Sequence, residues 1–176
     1  MIIMGVDLGI KRTGIAISDE GEKFAFPKLV ITEYNTGKLV SKIIDKAREY
    51  GAKRIVVGLP KNMDGSLGDR AKTCTDIADK IRNSSGIDTV MYDERCTTME
   101  AYNLLDMSGT FGKKRKESVD AVAATVILES YLSYLKNKKL FDSQKETLDT
   151  FLNTKAITKE QYEKSLNGLK EKMNIK

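Results

Sequence analysis

The feature that most constrains this chain is a change in the period of its hydrophobic pattern after residue 31. Before it, apolar residues come as short runs or at alternate positions, as strands require; after it, helical spacing alternates with further short runs. Residues 2–8 (IIMGVDL) read as an apolar strand, residues 13–18 (TGIAIS) alternate, and residues 24–31 (FAFPKLVI) form a third run. Pro27 cannot donate to a ladder, so it marks that run as an edge or a strand end. Short Gly-containing turns at 9–12 and 19–23 predict an antiparallel three-strand meander.

Residues 36–50 then place Leu39, Val40, Ile43, Ile44 and Ala47 on one helical face, and Gly51 follows as a stop. RIVVGLP at 54–60 reads as a buried strand, 62–68 as a loop, 69–83 as a helix, and DTVMYDER at 88–95 as a strand that finishes in charge. Residues 97–107 begin with a capping-box pattern, with Thr97 or Thr98 as cap and Glu100 near the third helical position. Residues 108–116 (SGTFGKKRK) read as a Gly-rich basic loop and 117–135 as the most apolar helix. Helices alternating with strands after a meander imply parallel strands joined by crossovers. The expected fold class is therefore α/β, with a mixed five-stranded sheet flanked by helices. The 176 residues suit one domain over 1–135 with an appendage over 136–176.

The chain has no histidine, which excludes Ser-His-Asp and Cys-His catalysis, histidine bases and histidine metal ligands. Cys74 and Cys96 lack metal-like spacing and read as free thiols of a reducing cytoplasm. No apolar run approaches a membrane span, and the N-terminal run meets Asp7 too soon for a signal peptide. The net charge of +5 is uneven: residues 136–176 carry ten lysines against six carboxylates, and the remainder is almost balanced. A nucleic-acid signal therefore lies in local clusters: Lys11-Arg12, Lys53-Arg54, and Lys113, Lys114, Arg115 and Lys116.

Three acids interrupt apolar patterns: Asp7 at the end of the first strand, Glu94 at the end of DTVMYDER, and Asp120 within SVDAVAATVIL. Buried carboxylates are rare unless paired or bound to metal, and three that converged would repel without a cation between them. Mg²⁺ or Mn²⁺ suits such an all-oxygen set. Two such ions could clamp the attacking and leaving oxygens of a phosphodiester without any histidine. Each acid alone has a plainer reading. Asp7 could cap the Lys11-Arg12 turn, Glu94 could pair with Arg95 or a lysine, and Asp120 could be an acid favoured at a helix N-terminus. In the loop GLPKNMDGSLGDR, backbone amides with Lys61, Asn62 and Ser66 could hold phosphate, and Asp64 is a reserve metal ligand.

DLGIKRTGIAISD, VVGLPKNMDGS, DERCTT and SVDAVAATVILESYL, in this order and spacing, resemble the YqgF (RuvX-like) family over residues 1–135. The resemblance implies an RNase H-like fold. It also implies a nuclease, because the family is described as Holliday junction resolvases and as nucleases that mature the 5′ end of precursor small-subunit ribosomal RNA. It carries the acidic positions, as catalytic metal ligands, onto Asp7, Glu94 and Asp120. Lys11, Arg12, Asn62 and Arg95 are then expected to contact phosphate, with Lys113, Lys114 and Arg115 embracing the nucleic-acid backbone. This chain departs from the pattern at Cys96, where leucine is usual, and at Lys61, where an apolar residue is usual.

Beyond residue 135, LDTFLNTKAITKEQYEKSLNGLKEKM reads as two short helices and is similar to the C-terminal helical-hairpin module called SHOCT. Thr158 and Gln161 give its second helix a capping box, and Leu148, Phe151 and Leu152 are expected to pack on Ile157, Tyr162, Leu166 and Leu169. The expectations are thus a cytoplasmic, metal-dependent nuclease acting on precursor rRNA or branched DNA, with a non-catalytic nucleic-acid-binding module as the alternative. No membrane association is expected. A resolvase cutting two strands symmetrically would be a homodimer; an rRNA nuclease need not be.

Overall fold

The N-terminal meander forms as its alternation predicts: β1 (Ile3–Leu8) pairs antiparallel with β2 (Arg12–Ser18), and β2 with β3 (Ala25–Thr32). The structure, a computed structural model, describes residues 1–61, 64–93, 113–173 and 175, with residues 113–120 described in backbone only. After α1 (Thr36–Glu49), β4 (Arg54–Leu59) pairs parallel with β1. After α2 (Asp69–Ser85), β5 (Asp88–Asp93) pairs parallel with β4. The five-stranded sheet has the order β3-β2-β1-β4-β5, the mixed arrangement of a meander followed by parallel strands that the sequence predicts. Pro27 stands on the edge strand, and the ladder slips beside it: Ile15 pairs with Leu29 but Ala16 with Pro27.

Local chemistry sets the helix ends. The Asn35 side chain accepts from the Lys38 amide at 3.0 Å to start α1, and Gly51, with φ +68°, follows its end. Met4, Val6, Leu8, Ile15, Ile17, Ile55 and Val57 line one sheet face and form a core with α1 and α2. The Cys74 side chain, on α2, is buried in that core.

The third described helix, α3 (Lys113–Asn153), departs from expectation at both ends. Lys113, Lys114 and Arg115, expected in a loop, begin the helix, and it continues well past residue 135. Lysine and arginine are good helix formers, and no Gly or Pro follows Gly112 until Gly168. A charge run is not a stop signal. The first of the two short tail helices is accordingly the end of α3. The second is α4 (Lys159–Met173), begun by the predicted capping box: the Thr158 amide donates to Gln161 Oε1 at 2.9 Å, and the Gln161 amide to Thr158 Oγ1 at 3.2 Å.

The chain divides into two compact units, Met1–Leu132 and Ser133–Lys176. Within the second, Leu148 and Leu169 line a trough of about 460 Å³ with Gln144, Thr147, Ser165, Gly168 and Lys172. Tyr162 is tied by its hydroxyl to Asp149 at 2.6 Å, while Phe151 stays 46% exposed rather than packing as expected. The helix expected over 97–107 and the 108–112 part of the loop lie outside the described residues.

Candidate active site

Successive strand residues point to opposite faces. Met4, Val6 and Leu8 face α1 and α2, so Ile3, Gly5 and Asp7 face the other way, towards α3. That helix lies very close. A Cβ on Gly5 would fall 2.8 Å from Leu128 Cβ and 2.9 Å from the Ala124 carbonyl oxygen. Asp7 is half-buried, less enclosed than its apolar sequence context suggests. Its register partner has no side chain. Gly14 is directly opposite on β2, and on β4 Gly58 is next after Val57, the partner of Val6. No side chain therefore rises beside the Asp7 carboxylate from the position opposite it on β2. Sequence reasoning passed over both glycines, although a Gly inside a strand pattern is a signal for close approach by a ligand or another backbone.

The turn after β1 is tight. The Gly9 amide donates to the Arg12 carbonyl at 2.9 Å, and a Cβ on Gly9 would strike that same oxygen. The turn leaves Lys11 exposed and Arg12 half-buried. Neither Asp7 nor Arg12 lacks an interaction partner.

The parallel register sets Tyr92 of β5 beside Gly58 and Asp93 beside Leu59. Tyr92 faces α3: its ring meets Tyr131 edge-on at 5.4 Å, and its hydroxyl donates to the Ser130 carbonyl at 3.2 Å. Asp93 pairs with Lys61 at 2.9 Å. Glu94 follows directly after β5 and lies outside the described residues, as do Arg95 and Asn62. Asp120 lies in α3, one helical turn before Ala124, with its backbone alone described. Lys113, Lys114 and Arg115 open the same helix, also in backbone only.

The loop after β4 is internally engaged. Asp64 accepts from the Ser66 amide at 2.8 Å and from the Ser66 hydroxyl at 2.6 Å. Ser66 and Lys61, two expected phosphate contacts, are therefore committed to carboxylates of the chain itself. Among the described residues no group of three or more metal-ligating side chains gathers, and of the expected trio only the Asp7 side chain is among them.

The sequence model of a family described as "RuvX: Holliday junction resolvase" matches residues 1–134. A Bacillus cereus (strain B4264) protein named "Putative pre-16S rRNA nuclease" is 40% identical over 134 residues, covering 75% of this chain and 98% of that protein. A Bacillus thuringiensis (strain Al Hakam) protein of the same name matches with the same identity and coverage. Among solved structures, a T. thermophilus RuvC in complex with Holliday junction substrate gives a TM-score of 0.49 at 11% identity, over 75% of this chain and 93% of that one.

Proposed function

The chain belongs to the RuvX family, and on that premise we propose that it is a metal-dependent endonuclease of structured nucleic acid, with Asp7, Glu94 and Asp120 as the ligands of Mg²⁺ or Mn²⁺. The observation that carries the proposal is Asp7. It is half-buried at the end of a core strand, opposite Gly14, on the sheet face that α3 approaches within van der Waals distance. The donor set fits a hard divalent ion, since every proposed ligand is a carboxylate and the chain has no histidine. Such an ion, when bound, lowers the pKa of a water and neutralises charge on the leaving oxygen.

The residues of the chain do the rest. Asp7 presents its carboxylate oxygens at the end of β1, held by the Gly9–Arg12 turn. The exposed ammonium of Lys11 meets a phosphate oxygen beside it, and Arg12 adds a second cation to the same turn. Glu94 and Asp120 complete the set, with Asn62, Arg95 and the Lys113–Arg115 run as substrate contacts. The names of the relatives favour precursor small-subunit rRNA as substrate, and the description of the family adds the four-way DNA junction. No described helix is long and apolar enough to cross a membrane, and a nuclease of this kind would act in the cytoplasm.

The test is a cleavage assay on precursor rRNA and on a four-way junction, with Mg²⁺ or Mn²⁺, using the full chain and Asp7→Asn. Replacement should lower cleavage on the order of 10²–10³-fold while leaving the melting temperature equal or higher, because carboxylate repulsion is relieved. Undiminished cleavage by Asp7→Asn would overturn the mechanism. Binding without cleavage by the unaltered chain would make it a nucleic-acid-binding module instead. A solution mass measurement, with and without residues 136–176, decides whether the active species is a homodimer and whether the tail forms it.

A further inference from the structure

The family match ends at residue 134, so the hairpin of α3 and α4 is an addition to it. The hairpin is also where the net positive charge resides. Its charges are not evenly matched along its length. Where the end of α4 meets α3, Met173 and Phe141 are buried and Asn137 Nδ2 donates to the Met173 carbonyl at 3.5 Å. Lys136 and Lys138 flank Asn137, and Lys170 and Lys172 occupy the last turn of α4. All four are exposed, and none has an ion pair with a described residue. Farther along the hairpin, Lys145 pairs with Asp149 at 2.9 Å and Lys159 with Glu163 at 3.9 Å, while Lys155 and Lys164 stand singly. Asp142 and Glu171 are the exposed carboxylates nearest in sequence to the four lysines, so the cluster keeps an excess of positive charge.

Part of this has a local cause. Cations in the last turn of a helix are favoured by its dipole, which accounts for Lys170 and Lys172. It does not account for Lys136 and Lys138, which sit mid-helix away from either helix end, with Lys136 one turn from the like charge of Lys139. Exposed cations on both helices, next in sequence to the Asn137–Met173 contact, give this end of the hairpin the charge to attract a polyanion.

We propose that this end of the hairpin is a docking surface for the phosphate backbone of nucleic acid, a second hold on the substrate apart from the proposed catalytic acids. The proposal rests on the substrate being nucleic acid. Lysines act there as point charges on phosphate, so the contact is strong at low salt and indifferent to sequence.

The test measures binding of the full chain to a duplex and to a structured RNA in metal-free buffer, between 0.05 and 0.2 M salt, with cleavage measured separately. Lys136→Gln, Lys138→Gln, Lys170→Gln and Lys172→Gln combined should weaken duplex binding at least about tenfold near 0.1 M salt. They should also make the slope of log affinity against log salt shallower by about 0.9 for each phosphate no longer neutralised. The four Lys→Arg replacements should restore both, which controls for folding. Lys155→Gln with Lys164→Gln should change neither. Cleavage at saturating substrate should be unchanged in every variant. The docking surface is refuted if the fourfold Gln variant binds as the unaltered chain does, if the distal pair weakens binding equally, or if the cluster serves only phosphatidylserine vesicles or an acidic protein. Cluster-dependent binding without any cleavage would sink the nuclease proposal and leave the docking surface standing.

Discussion

Replacing Gly5 by alanine tests how tightly α3 presses on β1. The added Cβ would lie 2.8 Å from Leu128 Cβ and 2.9 Å from the Ala124 carbonyl oxygen. Ordinary carbon–carbon contact is about 3.5–4.0 Å, so about 0.7 Å or more is missing. Neither obstructing atom is the end of a flexible side chain, and the Ala124 oxygen is backbone. Relief therefore requires the helix to move, loosening its other contacts with the sheet. Overpacking of this kind costs about 1–3 kcal/mol, against which alanine recovers about 0.5–1 kcal/mol of glycine's chain entropy. A net destabilisation of about 1 kcal/mol corresponds to a melting temperature lower by about 2–4 °C. Circular dichroism melts of the full chain would read it. Asp120 lies one turn before Ala124, so the same displacement should lower cleavage beyond what unfolding explains, measured well below the transition. An unchanged or raised melting temperature would refute the close packing, and with it the placement of α3 over the Asp7 face.

Two further outcomes follow from local contacts. Glu33 accepts from Lys42 Nζ at 2.8 Å and from the Tyr34 and Asn35 amides, and the hydrogen bond from Lys42, followed by that from the Asn35 amide, holds its carboxyl down to about 2. A depressed native pKa gives stability that is present above the ordinary carboxyl value of 4.5 and is lost as pH falls towards 2. Glu33→Gln should therefore lower the urea midpoint at pH 7 and matter less at pH 3; an equal gap at both would contradict the assignment. Thr158→Ala removes one arm of the capping box and should cost the hairpin about 0.5–2 kcal/mol, seen as earlier loss of helical signal on heating.

The meander and the later parallel strands were legible because alternation, short runs and Gly turns are local signals. The ends of α3 were not legible, because apolar periodicity fades after residue 135 while helix propensity does not. The lysine-rich stretches at 113–116 and 136–139 look like loop but contain no residue that stops a helix. Asp7 stood out as a carboxylate closing an apolar run. Its glycine neighbour did not, because a glycine in a strand reads as a weak point in the ladder. Only the pairing register shows that Gly14 is opposite Asp7 and that Gly58 follows the partner of Val6. Glu94, Arg95 and Asn62 lie outside the described residues, so their roles rest on sequence alone.

The two faces of the sheet explain why β1 contains both a glycine and an acid. On the α1 and α2 face it presents Met4, Val6 and Leu8, large side chains that hold helices at a distance. On the α3 face it presents Ile3, Gly5 and then Asp7, and missing bulk at Gly5 lets a helix backbone settle onto the strand. With Asp120 as a proposed ligand, Gly5 would be a positioning residue for that metal site, acting through the seat of α3 rather than by touching substrate. Its replacement and that of Asp7 should part in their signatures. Asp7→Asn should lose cleavage at any metal concentration with the fold intact, whereas Gly5→Ala should lower stability and demand more Mg²⁺ for half-maximal cleavage. An unchanged Mg²⁺ requirement in a destabilised Gly5→Ala would separate the packing from the metal site and show that α3 does not carry a ligand.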